Sequence, residues 1–384
     1  MNCSDKTPPA SILIMVAGAK GAVASTLAVA TVHLRTDPES IRHSLTTAGL
    51  FPDLPPFYAI DFVGWDRVDS PLITSIESHG VLPKTIWTDH QSALNDRVIR
   101  PAPSNKAPWQ DQIDQVTGDI EYYKSIYPKS HPVLVNLLPA GKRIDMENLK
   151  TVEMLFETLS PADFPDLIYA LAALRAGVPF VNFSPNTVEA QPIVAEAITS
   201  NIPIVGCDGK TGQTYFKVVL ASALKARGLL VDGWYSLNLL GNADGENLMN
   251  PERAVGKVAN KTELLDQILG YRVGKRYGQS THSVRIDYYP PRGDAKEAWD
   301  VIDFNGLFGL PMSIRINLQG RDSILAAPMI IDLARWMVAL KQAGRSGLIP
   351  ELGFFFKKPA GSNPPLTFQD QIRALEKLAG QCGQ

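Results

Sequence analysis

The apolar positions of the N-terminal half fall into short unbroken runs. Ile12 to Val16 is the first, and it leads directly into Ala17-Gly18-Ala19-Lys20-Gly21-Ala22-Val23-Ala24 and then an alanine- and leucine-rich stretch, Ser25 to Leu34. An apolar run with no polar face predicts a strand covered on both sides, and the residues after it predict a glycine turn opening a helix. Pro56 to Trp65, Pro132 to Leu138, Val178 to Asn182 and Ile202 to Val205 repeat the strand pattern. A polar helical stretch closing at Tyr122 to Ser125 and the helical periodicity of Asp163 to Ala176 lie between them. Strands alternating with helices predict an α/β fold with a Rossmann-type, doubly wound parallel sheet.

After Asp208 the texture changes. A helix from about Thr214 to Arg227 should stop at Gly228, and strand-like alternation follows around Ser283 to Tyr289 and Met312 to Asn317, with a glycine-bent loop expected over Leu237 to Leu248. This predicts a second domain of α+β type over 208–322, inserted between the two parts of the first, 1–207 and 323–384. The apolar stretch Ile324 to Leu340 contains Pro328, Asp332 and Arg335, which points to a buried or amphipathic helix returning to the first domain rather than a membrane span. Thr367 to Ala379 reads as a C-terminal amphipathic helix.

Composition narrows the partners. The 384 residues are 45% hydrophobic and 20% charged, as in an ordinary globular protein. Thirty-seven basic side chains against 39 acidic ones leave a net charge of −2, so no overall field draws in nucleic acid or a membrane surface, and an anionic ligand must be held by local groups. Cysteine occurs only at Cys3, Cys207 and Cys382, which argues against a disulfide framework or structural zinc and fits a reducing cytoplasm. The histidines form no HxxxH or HxH spacing, so no metal site is expected.

Two stretches carry candidate chemistry. In the first, Gly18, Gly21 and Ala24 have the spacing GxxGxxA, a loosened form of the dinucleotide fingerprint in which glycines let main-chain N–H groups approach a pyrophosphate at a helix N-terminus. The bland alternative is a structural glycine turn. An acidic residue for the ribose is expected about 20 residues further on, but here an insertion over His33 to Pro56 intervenes, and Asp66 in Gly64-Trp65-Asp66 is the candidate, against a solvated turn aspartate.

The second stretch gathers Asp208, Lys210, Thr211, Asn238, Asn242, Asp244, Lys257 and Lys261 among glycines, a mixture that suits a phosphorylated polyol. Gly209-Lys210-Thr211 imitates a phosphate loop, but the glycine required five positions before Gly209 is Ile204, so the pattern fails. An anion-binding helix start near Thr214 remains, against a threonine N-cap beside a surface lysine. Asn238, Asn242 and Asp244 could fix hydroxyls or simply form turns; Lys257 and Lys261, four apart, share one helix face and could be merely solvated. Gly293 to Lys296, Arg321 to Ser323 and the step Lys357-Lys358-Pro359 after Phe354 to Phe356 are further polar islands. Together they predict one site assembled from distant segments.

In order, these segments resemble the myo-inositol-1-phosphate synthase family across most of the chain. The matching stretches are GWD at 64–66, SPNT at 184–187, GCDGKTGQT at 206–214, LNLLGNADGENL at 237–248, GDAK at 293–296, RDSILAAP at 321–328 and FFFKKP at 354–359. The compact length is similar to that of a prokaryotic-type member. The resemblance implies an isomerase that takes D-glucose 6-phosphate to 1D-myo-inositol 3-phosphate with NAD as cofactor and no net oxidation. The steps it implies are oxidation at C5, enolisation, intramolecular aldol closure and reduction.

It further implies catalytic roles for Lys257, Lys261, Lys296, Lys357, Asp208 and Asp322, with Lys257 managing the proton at O5 beside Lys357. Thr211, Asn238, Asn242 and Asp244 would hold substrate. Gly18, Ala19, Lys20, Gly21, Ala22, Val23, Asp66, Ser184, Asn186 and Asp208 would hold NAD. Residues 208–322 would serve catalysis and oligomerisation, in a homo-oligomer, a tetramer by resemblance. Thr211 stands where serine is common, and Val255 where some members carry another cation. Two alternatives stay open: a related NAD-dependent carbocyclase or dehydrogenase for another sugar phosphate, and a non-catalytic NAD-binding relative.

Overall fold

The structure is a computed structural model that describes residues 11–51, 54–142, 144–249 and 264–382. Its larger layer is a parallel sheet of seven strands: β1 (Ile12–Ala17), β2 (Ile60–Asp66), β3 (Ile99–Pro101), β4 (His131–Asn136), β5 (Phe180–Asn182), β6 (Pro203–Gly206) and β11 (Gly347–Leu348), in the order β11-β6-β5-β4-β1-β2-β3. This is the α/β, Rossmann-type architecture expected from the alternation of strands and helices. The unbroken apolar run of β1 follows from its position. Ile12, Ile14 and Val16 pack on one side with helices α1 (Ala22–Thr36) and α6 (Asp322–Gln342), whereas Leu13, Met15 and Ala17 pack on the other with α2 (Trp109–Ile126), α3 (Asp166–Arg175) and α4 (Gln191–Thr199). Each large aliphatic side chain so buried contributes roughly 1.5–3 kcal/mol of transfer free energy.

Between β6 and α6 the chain builds a second, four-stranded sheet, order β10-β9-β7-β8, from β7 (Leu230–Leu240), β8 (His282–Tyr288), β9 (Ala295–Asn305) and β10 (Pro311–Arg321). Helix α5 (Gln213–Ala226) covers its inner face, with Val218, Ala221 and Leu224 against Val231, Trp234 and Ile302. Neither β7 nor β9 was visible as a strand in the sequence. Their alternation is inverted: Asp232, Ser236, Asn238 and Asp300 face inward and are buried, while Tyr235 and Trp299 are exposed. Asn238 accordingly sits on a strand rather than in the expected loop.

Helix α6 is long and apolar enough to cross a membrane, yet 78% of that stretch is buried inside the protein. It returns the chain to the first sheet, as its interrupting charges suggested. Asp332 accepts the N–H groups of Thr46 and Thr47 at 2.8 and 3.1 Å, and Arg335 donates to the carbonyl of Leu54 at 2.9 Å, so these charges fasten the insertion between α1 and β2. The C-terminal helix α7 (Phe368–Cys382) packs beside the short helical turn Pro350–Phe355.

Candidate active site

The order in which strands are added to the first sheet reverses at β1, which lies between β2 and β4, and ligand crevices in such sheets open beyond the carboxyl ends of the strands at that point. The predicted glycine turn occupies this position. Gly18 has φ +83°, and the N–H groups of Gly18 and Ala19 both donate to the Trp65 carbonyl at 3.0 Å. A Cβ on Gly18 would lie 3.3 Å from the Leu137 carbonyl oxygen, where the chain leaves β4. Gly64, in the GWD stretch but not singled out for this role, lets β2 run against the turn: a Cβ there would sit 2.2 Å from the Val16 oxygen.

Helix α1 starts at Ala22, and its N-cap, Gly21, makes no side-chain cap bond. The N–H groups of the first turn, Ala22 and Val23 among them, have no intrahelical partners, and the positive end of the helix dipole adds to them. Free backbone donors at a helix terminus, on a turn that carries no side chain at Gly18 or Gly21, fit a pyrophosphate. Asp66 ends β2 next to the turn; Oδ2 accepts the Lys20 N–H at 2.8 Å and Oδ1 the Val68 N–H at 2.9 Å. The Lys20 side chain is turned to the Val68 carbonyl.

Ser184 and Asn186 follow β5 on the same edge of the sheet. Asn186 accepts the Gly141 N–H at 2.8 Å and donates to the Pro139 carbonyl at 2.9 Å and to Asp166 at 3.0 Å. Ser184 Oγ accepts the Asn186 N–H at 3.3 Å, and its carbonyl accepts the Asp208 N–H at 2.9 Å. These polar atoms are engaged within the protein: Asn186 braces the loop after β4, and Ser184 joins Asn186 to Asp208. Burial raises the pKa of Asp166, against hydrogen bonds from Asn136 and Asn186 that lower it.

Beyond β6 the expected cluster forms from three further segments. Asp208, with φ +61°, is held in the left-handed region, which aspartate tolerates better than most residues. Its carbonyl accepts the Lys357 N–H at 2.7 Å, and its Oδ1 pairs with Lys357 Nζ at 2.7 Å. Oδ2 of Asp208 is buried and meets no hydrogen-bond partner among the described residues. Asp322, the first residue of α6, accepts the Thr211 hydroxyl at 2.9 Å and pairs with Lys296 Nζ at 3.2 Å. A carboxylate at the start of a 21-residue helix is favoured by the dipole as well. Gly241 allows the two loops of the second sheet to meet, since a Cβ there would lie 2.4 Å from the Gly293 nitrogen, just ahead of Lys296.

Other expectations come out differently. Lys210 is neither a surface lysine nor an anion ligand: it is 2% exposed, donates to Gln371 Oε1 at 2.9 Å and to the Gly353 carbonyl at 3.4 Å, and lies over the Phe354 ring. Helix α5 begins at Gln213 with Gly212 as N-cap, so the alternative of a threonine N-cap is also overturned. Asn242 Oδ1 accepts the Gly245 N–H at 3.1 Å, the turn-forming use of that residue. Asn238 is buried with its Oδ1 unpartnered among the described residues. Asp244 falls in the helix Ala243–Asn247; its side chain, and all of Lys257, Lys261 and Val255, lie outside the described residues.

Sequence reasoning missed a buried network behind Thr211. Gln213 donates to Asp300 at 2.9 Å, Trp234 donates to it at 2.7 Å, and Lys217 reaches Ser236 at 3.2 Å and His282 at 2.7 Å. Burial lowers the Lys217 pKa to about 8. Gln213 and Lys217 lie four apart on α5, so a helix-face reading of those polar residues would have flagged them.

A family model for myo-inositol-1-phosphate synthase matches residues 212–323. Inositol-3-phosphate synthase 1 of Bacteroides thetaiotaomicron is 32% identical over 388 aligned positions, covering 90% of this chain and 89% of that protein. The chain belongs to the inositol-3-phosphate synthase family. The inositol-3-phosphate synthase of Saccharomyces cerevisiae is 30% identical over 297 positions, 74% of this chain and 51% of the yeast protein, so the match spans about half of that longer relative. Among solved structures, inositol-3-phosphate synthase from Caenorhabditis elegans superposes with a TM-score of 0.81 at 20% identity, over 98% of this chain and 86% of its own. A myo-inositol-1-phosphate synthase-related protein from Thermotoga maritima gives 0.74 at 22% identity, over 97% and 98%. These two superpositions establish the family fold for both sheets.

Proposed function

We propose that this member of the family is an inositol-3-phosphate synthase, an isomerase that converts D-glucose 6-phosphate to 1D-myo-inositol 3-phosphate with NAD as its cofactor. The observation that carries the reading is the gathering of Lys296 and Lys357, each paired with a carboxylate, at the edge of the parallel sheet that also holds the glycine turn. NAD, when bound, supplies the oxidising equivalent taken up at C5 and given back after ring closure. The turn from Gly18 to Val23 and the N-terminus of α1 would hold its pyrophosphate, with Asp66 beside them.

The chain's own residues meet the remaining demands. Negative charge develops on O5, then on an enolate oxygen, then on the aldol oxygen, and fixed cations in a partly dry site stabilise each. Lys357, 12% exposed at its side chain and fixed by Asp208, and Lys296, 14% exposed and fixed by Asp322, are such cations. Lys257 remains our assignment for the proton at O5 and Lys261 for the phosphate, on resemblance.

A homo-oligomer is part of the reading. The outer face of the second sheet, with Tyr235 at 44% and Trp299 at 45% exposure, supplies an uncovered apolar surface for it.

The test is incubation with NAD⁺ and glucose 6-phosphate followed by phosphorus NMR. Appearance of inositol 3-phosphate without accumulation of NADH is the expected result. A protein that binds NAD but leaves glucose 6-phosphate unchanged would move the reading to another sugar phosphate or to a non-catalytic relative.

A further inference from the structure

Arg321, the last residue of β10, stands between the glycine turn and the Lys296–Asp322 pair and touches structure on both sides. On one side its Nε pairs with Asp294 Oδ2 at 3.4 Å, and Asp294 Oδ1 accepts the Ser323 hydroxyl at 3.1 Å. Arg321 and Ala295 face each other across β10 and β9, as do Gly320 and Lys296. The Arg321–Asp294 pair therefore ties together the two chain segments that carry Asp322 and Lys296, each one or two residues away.

On the other side, Arg321 Nη2 donates to the Gly80 carbonyl at 3.3 Å. Gly80, with φ +59°, ends the helix Leu72–His79. Carbonyls at such an end lack intrahelical partners and favour a cation. The preceding residue, His79, donates from Nε2 to the Lys20 carbonyl at 2.8 Å, and the Lys20 N–H is the one held by Asp66 at 2.8 Å. A line of contacts thus runs from Asp66 through Lys20, His79 and Gly80 to Arg321 by hydrogen bonds, and on to Asp294 and Ser323 through the 3.4 Å ion pair, whose Nε and Oδ2 are not aligned as a hydrogen bond.

We propose that Arg321 is a positioning residue that couples occupancy of the glycine turn to the order of the Lys296–Asp322 pair. The inference rests on the nucleotide role proposed above for that turn. An arginine suits the task because its planar guanidinium offers separate donors to the carboxylate and to the carbonyl, whereas the ammonium of a lysine is a single point charge. Linkage between two sites is reciprocal, so the same contacts that order the pair when the turn is filled would also tighten the turn when the pair is engaged.

The experiment is hydrogen–deuterium exchange of the whole chain with and without NAD⁺, no sugar phosphate added, on the wild type, Arg321→Met and Arg321→Lys. In the wild type NAD⁺ is expected to slow exchange at 18–23 and also at 293–296 and 321–325. In both variants the slowing at 18–23 should persist while that at the two distant segments is lost. Arg321→Lys keeps the charge, so it provides a folded variant if the methionine substitution destabilises the protein. Slowing at the distant segments in the lysine variant equal to that in the wild type would overturn the proposal. So would a wild type that responds only at 18–23. A wild type in which 18–23 itself shows no response would remove the nucleotide reading, and the coupling with it.

Discussion

The glycine turn and the cluster around Asp208 lie on the same edge of one sheet but are made in opposite ways. The turn is one contiguous segment of main chain opening a helix, braced from a distance by the Trp65 carbonyl, Asp66 and His79. The cluster is made of side chains from four segments, joined as Asp208–Lys357 and Thr211–Asp322–Lys296. A backbone site fails when the backbone is blocked and tolerates changes of side chain. A side-chain site fails one residue at a time, and its parts depend on whatever holds their segments together.

The sharpest way to break this contrast is at Gly18. Valine there must adopt φ near +83° and bring Cβ to about 3.3 Å from the Leu137 oxygen. Gly18→Val is expected to abolish NAD⁺ binding in titration calorimetry while the fold, checked by circular dichroism, survives. Retention of binding would show that the turn is not the nucleotide site.

Lys357→Met should do the reverse. With the cation gone from Asp208, kcat is expected to fall by about a hundredfold or more, with NAD⁺ affinity unchanged. The variant leaves Asp208 as a buried carboxylate without its cation, and losing one partner of such a pair costs about 3–5 kcal/mol; urea unfolding measures that cost. Equal loss of binding and turnover would erase the distinction between the two sites.

A smaller effect concerns the segment that carries Lys357. Lys210, four residues after Gly206, is buried among neutral partners, Gln371, the Gly353 carbonyl and the Phe354 ring, and desolvation lowers its pKa to about 7. The folded state therefore binds fewer protons than the unfolded chain between pH 7 and the ordinary lysine value of 10.5. Stability should rise with pH across that window and level off below it, where both states are protonated. Lys217, lowered to about 8, adds to the rise. Lys210→Met is expected to flatten the slope in urea unfolding series run from pH 7 to 10. An unchanged slope would mean that Lys210 is not held in this dry environment.

Much of this was legible in the sequence because it depends on local pattern. The turn could be read because glycine spacing after an apolar strand has one main structural use, and the buried strands because a sheet covered on both faces is built mainly from apolar residues. Strands β7 and β9 could not be read, since their buried face carries Asp232, Ser236 and Asp300 and their exposed face carries Tyr235 and Trp299. That inversion makes sense only once α5 and its Gln213 and Lys217 are seen to lie over the inner face. Lys210 misled for a related reason: beside two glycines a lysine resembles a phosphate ligand, and only the docking of α7, which brings Gln371 to it, turns it inward.

The sequence by itself determined the class of fold, the position of the turn and the set of residue types available for a sugar phosphate, because each follows from the spacing of neighbours along the chain. Which carboxylate holds which lysine was decided by tertiary structure alone. Asp208 lies 149 positions from Lys357, and Thr211 lies 111 from Asp322. Contacts over such separations exist only after the sheet, α6 and the segment that follows β11 have packed, and no local energy term in the chain encodes them.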